Sequence, residues 1–321
     1  MLLTKAGEML LDSKLYINKC RAYIDFMISQ GQWSGLSKSD VQSWLRNFHD
    51  LSDDEMKLVY KLLTNIICFS ENDVINAVRQ GLYECLHYEV LLNNQLKQNF
   101  TLSRNAISNL EKDSIAHACF IPLLDSNAPH ESGNYVSRLL VQQGMITPEQ
   151  SIFLDNLPCV AMKNQITKLI IVDDCVGSGD QLTNFWTTST VTDNGNKVTI
   201  SEFCNLHQIQ AKYLTLFGYK ESIQNLRTKL SGIDIYCVRL LFDNLRVFSD
   251  SSYIWDDIDE RDKALKLFAE ITKNAGIPLW GYKNLDFAFM MHKTIPDWSL
   301  PLFWKENADW NLLMRRKNSD G

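Results

Sequence analysis

Two adjacent carboxylates, Asp173 and Asp174, end an apolar, β-branched run, Leu169-Ile170-Ile171-Val172, and the stretch Gly177-Ser178-Gly179 follows closely. These residue types suit two neighbouring tasks. Carboxylates accept hydrogen bonds from the hydroxyls of a polyol. Glycines let backbone N–H groups converge on an anion, helped by the positive end of a following helix. A phosphate and a polyol could thus be held side by side. The bland alternative is a strand that ends in a solvated Asp-Asp turn with a glycine bend.

The elements needed to position these groups are legible. A short apolar run bounded by turn residues reads as a buried strand over 169–174, and in open α/β sheets ligands sit beyond the carboxyl ends of such strands. A helix is expected near 182–186. Upstream, 116–124 reads as a strand, with Pro122 placing it near an edge or a strand end. A polar loop reaching Ser132 and Gly133 comes next, then a helix over 135–143 with Arg138 facing out. Downstream, 187–197 reads as a polar loop or excursion, 212–219 as a strand, 221–230 as a helix and 233–241 as a strand. Such alternation argues for a mostly parallel sheet. Residues 259–274 form an amphipathic helix stopped by Gly276 and Pro278.

The front of the chain differs in texture. Residues 1 to about 100 lack proline and look helical. Ser39-Asp40-Val41-Gln42 and Ser52-Asp53-Asp54-Glu55 are capping-box patterns, and Ser70-Glu71-Asn72-Asp73 offers a further helix start. The division expected from texture is 1–101 helical and 102–321 α/β. The C-terminal tail is aromatic-rich, with Trp298, Trp304 and Trp310.

Composition excludes several classes. The 321 residues are 45% apolar, and 32 Lys+Arg against 38 Asp+Glu give a net charge of −6. That balance argues against a globally basic nucleic-acid footprint. No run of about 18 apolar residues suggests a membrane span. Lys5 and Glu8 make the N-terminus a poor secretory signal, so the cytoplasm is the expected location. The eight cysteines form no CxxC pair. Cys85 and His87 read as core residues rather than zinc ligands. His292, on an apolar strand, reads as a core histidine. Cys175 beside the acidic pair would need a base partner to act as a nucleophile.

The segment from Leu169 to Gln181 resembles the binding loop of type I phosphoribosyltransferases: apolar run, two acidic residues, a few small ones, then a Ser/Thr-Gly pattern. The resemblance implies an α/β fold with a mostly parallel sheet of phosphoribosyltransferase type, a helical N-terminal segment and an aromatic-rich tail. It implies that Asp173 and Asp174 contact the ribose hydroxyls and act as the catalytic pair. Cys175, Val176, Gly177, Ser178, Gly179, Asp180 and Gln181 would form the loop around the 5′-phosphate. Gln181 stands where the family has Thr or Ser, and Asp180 puts an anion inside the loop. By the same resemblance Ser132, Gly133 and Arg138 would contact the diphosphate, the alternative being an ordinary surface loop, and Trp298 would stack on the base, the alternative being that the tail packs against the core. Mg²⁺ is expected with such a ligand.

The Asp-Asp-x-x-Gly-Ser-Gly loop, the helical front and the tail Thr294-Ile295-Pro296-Asp297-Trp298-Ser299-Leu300-Pro301-Leu302-Phe303-Trp304 together resemble a divergent branch of that fold. Members of the branch are similar to effectors of bacterial conflict systems, including some retrons. This implies antiphage defence, a ribosyl-phosphate or nucleotide ligand, and a reverse transcriptase with its DNA–RNA product as partner through the helical segment. Three readings stay open: a glycosyltransferase, a nucleotide-sensing module without chemistry, and a structural partner.

Overall fold

The computed structural model describes residues 5–124, 133–292 and 294–316. Its strands are β1 (Ile67–Phe69), β2 (Ala118–Pro122), β3 (Lys168–Val176), β4 (Thr190–Asp193), β5 (Asn196–Thr199), β6 (Gln210–Tyr219), β7 (Ile233–Leu241) and β8 (Phe289–Met291). The chain divides into two compact units. One combines Met1–Val74 with Phe242–Gly321, and the other is Ile75–Leu241. The division therefore differs from the one expected at 101/102. The tail and the first helices share one core, which local sequence texture cannot reveal.

The 75–241 unit carries a four-stranded parallel sheet in the order β2-β3-β6-β7. The fold is α/β, as the sequence implied. Strands β2, β3 and β6 are almost wholly buried, because each sheet face is covered. On one face Ile121, Leu169, Ile171, Tyr213 and Ile235 form a core with Leu182, Phe185, Phe203, Ile223 and Leu226 from the following helices. The other face presents the alternate positions. There Gly81 of helix Glu71–Leu82 lies so close to Leu214 and Val238 that a Cβ would stand 2.7 and 2.8 Å from their side-chain atoms.

Helix Gly133–Gln142 belongs to this second face. Its buried Val136, Leu139 and Leu140 stay out of the first core. Arg79, on the helix over Leu214, donates to Gln143 at 3.0 Å. The chain thus leaves β2 toward one face of the sheet and leaves β3 toward the other, where helix Asp180–Thr188 packs. Divergence of this kind between neighbouring parallel strands opens a crevice at their carboxyl ends.

Residues 187–197, expected as a polar excursion, contain most of a hairpin. β4 and β5 pair antiparallel around Asn194-Gly195, whose φ angles are 48° and 85°. Both residues at positive φ is the turn that matches strand twist.

The other unit packs helices Lys38–Leu45, Asp53–Thr64 and Ile258–Asn274 around Trp33, Trp44, Phe48, Tyr60, Phe268 and Phe303. The front is helical as expected, with the three-residue β1 between its helices pairing in parallel with β8. Ser52 and Glu55 close the expected capping box, and Ser70 and Asp73 satisfy each other similarly. The remaining box is formed by Ser37 and Asp40, two residues before the expected start at Ser39. Charges here are paired. Lys61 reaches Asp256 at 2.6 Å and Glu260 at 2.5 Å. The wholly buried Asp286 accepts from Arg246 Nε at 2.5 Å and from the Phe248 amide at 2.7 Å.

Candidate functional site

β2 ends before β3 does. Pro122 pairs with Val172, and the Leu123 amide donates to Val172 O at 2.8 Å. β3 continues for four more residues beside β6 alone, with Asp173 opposite Thr215, Cys175 opposite Phe217 and Val176 opposite Gly218. The acidic pair therefore stands where β2 stops, at the floor of the crevice.

Within a strand successive side chains point to opposite faces. Asp173 and Asp174 are each 3% exposed, yet they occupy different environments. Asp173 shares a face with Tyr213. The Tyr213 hydroxyl donates to Asp173 Oδ2 at 2.8 Å, and the Asp174 amide donates to Asp173 Oδ1 at 2.9 Å. Burial, and after it the nearby Asp173 charge, push the Tyr213 phenol well above its ordinary value, so it keeps its proton. Asp174 points to the face that carries helix Gly133–Gln142.

The loop beyond β3 is shaped by glycine. Gly179 has φ 83° and would bring a Cβ to 2.9 Å from Leu226 side-chain atoms. Both conformation and space exclude a side chain there. It is the N-cap of helix Asp180–Thr188. Ser178 Oγ accepts from the Asp180 amide at 3.2 Å, which leaves its own proton to donate. Gly177 and Val176 are buried, Cys175, Ser178 and Asp180 are half-buried, and Gln181 is exposed. The carboxylate of Asp180 lies in the first helical turn, where the helix dipole favours it.

On the β2 side, Gly133 opens its helix against the strand end. A Cβ there would lie 2.5 Å from Leu123 O, so this glycine is required by close packing. Arg138 is on the exposed face of the same helix. Ser132 lies outside the described residues. Trp298 belongs to the other unit and is 3% exposed. Its ring packs 4.9 Å from Phe289 and edge-on to Phe287 at 5.4 Å. Of the two readings of Trp298, base stacking and packing of the tail against the core, this burial in an aromatic core fits packing.

Tyr213 and Thr215 were missed as site residues from sequence. The available signal was a tyrosine inside a buried strand, since a buried hydroxyl needs a partner. Cys85 is buried. Among the described residues no group of three or more His, Cys, Asp or Glu side chains is placed to hold a metal ion. His87 Nδ1 lies 2.5 Å from Ser114 Oγ. His292 Nδ1 lies 2.6 Å from Ser34 Oγ.

A parallel sheet, an acidic pair near the carboxyl end of an inner strand and a glycine-bent turn into a helix define a phosphoribosyltransferase-like protein. The PRTase-CE family model matches residues 41–316, and the chain belongs to that family. No curated protein matches the chain. Among the described residues no helix is long and apolar enough to cross a membrane.

Proposed function

We propose that the crevice between β2 and β3 binds phosphoribosyl pyrophosphate or a related ribosyl phosphate and exchanges the group on its anomeric carbon. The observation that carries this reading is the acidic pair at the point where β2 ends, beside a loop that only glycine permits. The backbone of residues 177–181 and the Ser178 hydroxyl meet the 5′-phosphate, and the carboxylates meet the ribose hydroxyls. The bond from the anomeric carbon to the diphosphate oxygen breaks, and the diphosphate leaves with the electron pair. The carbon, oxocarbenium-like in between, then bonds to a nitrogen of a base or nucleotide. The reverse direction cleaves such a bond. The chain's part is positioning and electrostatic stabilisation.

Mg²⁺ would enter with the diphosphate and offset its charge, since such ions are held largely by substrate phosphates and water. A role in antiphage defence, with a reverse transcriptase and its DNA–RNA product as partner, rests on the resemblance of the motifs alone. Calorimetric titration of the full chain with phosphoribosyl pyrophosphate and Mg²⁺, with ribose 5-phosphate for comparison, tests the reading. Saturable binding supports it, and absence of binding to both ligands rejects it.

A second reading is favoured by one observation. Asp180 places a carboxylate at the end of the phosphate loop, in the first turn of helix Asp180–Thr188, which suits recognition of a nucleotide without turnover. Tight binding with no product after prolonged incubation with a base would select it.

A further inference from the structure

We propose that Ser34, His292 and Glu71 form a second catalytic site, in which Ser34 takes an acyl group from an ester and passes it to water. All three belong to the unit of residues 1–74 and 242–321, whereas the crevice belongs to the sheet unit. This activity therefore stands or falls apart from the ribosyl-phosphate reading.

The parallel pair of β1 and β8 brings two of the three together. Phe69 pairs with Met291, so Glu71 and His292 both lie just past the carboxyl ends of paired strands. Ser34 comes from the turn after helix Lys5–Ser29. Its Oγ lies 2.6 Å from His292 Nδ1, and His292 Nε2 lies 3.8 Å from Glu71 Oε2. A carboxylate beside Nε2 favours the proton on that nitrogen, which leaves Nδ1 to accept from the serine. The order is nucleophile, base, orienting acid. The Glu71 side chain is 58% exposed, so it has room to close the remaining gap, and catalytic hydrogen bonds often tighten only when substrate is bound.

A structural serine–histidine pair in the same chain looks different. Ser114 is buried, and its Oγ donates to Glu111 O at 2.8 Å. Its proton is committed, so His87 must be the donor in their contact. Ser34 is half-buried, and among the described residues its hydroxyl has no acceptor other than the imidazole. The same turn supplies the other needs of acyl transfer. The Trp33 and Leu36 amides donate to Met27 O and Trp33 O, whereas among the described residues the Ser34 and Gly35 amides have no acceptor. Gly35 has φ 98°, and successive amides in a turn of this kind make a concave anion site, here for the oxyanion of the tetrahedral intermediate. Gly35 also lines a cavity of about 810 Å³ with Asn307, Trp310, Asn311 and Arg315, a volume that suits a small-molecule substrate.

In the reaction, Ser34 Oγ bonds to the carbonyl carbon as its proton passes to His292 Nδ1. The bond from that carbon to the alcohol oxygen breaks, and the alcohol leaves with the electron pair and takes the proton. Water then gives a proton to His292 and its oxygen to the acyl carbon. The ester bond to Ser34 breaks, and the proton returns to Ser34 Oγ. Glu71 touches no reacting atom and is a positioning residue.

The test uses the full chain with para-nitrophenyl acetate and with an alkyl fluorophosphonate, whose fluoride leaves as Ser34 Oγ bonds to phosphorus. The wild type should release nitrophenolate catalytically, and peptide mass mapping should find the phosphonate on Ser34. Ser34→Ala should abolish both. His292→Gln should slow the modification about 100-fold or more, as loss of a general base does. Glu71→Gln should lower the limiting rate of modification by roughly tenfold, the worth of a hydrogen bond to a charged group, with the half-saturating probe concentration unchanged. A merely structural Glu71 would move both or neither. Thermal melts report folding, and mapping of the wild-type chain decides the matter even where a variant fails to fold. A wild-type chain without phosphonate on Ser34 overturns the proposal. So does unchanged modification in His292→Gln, or ester turnover that survives Ser34→Ala.

Discussion

Two buried carboxylates, Asp286 in one unit and Asp173 in the other, are met by different donors. In the unit of residues 1–74 and 242–321, Asp286 is met by the Arg246 guanidinium and a backbone amide. Glu260 is met by Lys61. In the sheet unit, Asp173 is met by a phenol and an amide. In that unit Lys212 donates to Cys85 O at 2.8 Å and Lys168 to Ser114 O at 2.7 Å. Both lysines sit near the amino ends of β6 and β3, whereas the acidic pair sits at the carboxyl end. A carboxylate bonded to a cation is committed to holding the fold. Asp173 is oriented by a phenol and an amide at the strand end, and ordered carboxylates at such positions gather at functional sites.

The largest expected effect breaks the structural half of this comparison. Asp286→Ala leaves Arg246 without its buried partner and should lower unfolding free energy by about 3–5 kcal/mol, read by chemical denaturation. Asp174→Asn, on the functional side, should shift the denaturation midpoint far less while removing ribosyl-phosphate binding. Equal destabilisation by the two would erase the distinction.

Next comes Gly179→Ala. Strain at positive φ and the contact with Leu226 should together cost about 1–3 kcal/mol. The loop would also be displaced, so phosphate affinity should fall as well. Ser52→Ala removes the cap of helix Asp53–Thr64 and should cost about 1 kcal/mol, with ligand binding untouched.

The smallest effect is one of pH. Burial, opposed by Glu111 and aided by Lys168, lowers the His87 pKa below its ordinary 6.5. A lowered folded value means that the unfolded chain takes the proton first as pH falls. The contribution is therefore full above the ordinary value and is lost as pH falls through the lowered one. The wild-type denaturation midpoint should decline between about pH 7 and pH 5, and the same series with His87→Gln should be flatter.

Much of the sheet unit was legible because its signals are local. β7 spans the expected 233–241, and helix Ile258–Asn274 differs from expectation by one residue. β3 runs past the acidic pair because Cys175 and Val176 still pair with β6, and pairing leaves no mark in a single segment. The hairpin had a signature, Asn194-Gly195 between Thr190-Val191-Thr192 and Lys197-Val198-Thr199, hidden by its polar composition. The other unit was obscure for a physical reason. Its parallel pair joins Ile67 to Phe289 and Phe69 to Met291, residues far apart in sequence, and its core mixes Trp44 with Phe303. The same core explains why an aromatic tail looked available for stacking. In the candidate site, the residue types were readable, but the opposite orientation of Asp173 and Asp174 and the support from Tyr213 required the register of β3 on β6.

The most direct measurement is calorimetric titration of the full chain with phosphoribosyl pyrophosphate and Mg²⁺, in wild type and in Asp174→Asn. Saturable binding by the wild type, lost in a variant that melts at nearly the same temperature, is the predicted result. Binding of equal strength in both proteins, or none in the wild type, would contradict a ribosyl-phosphate site at the end of β3.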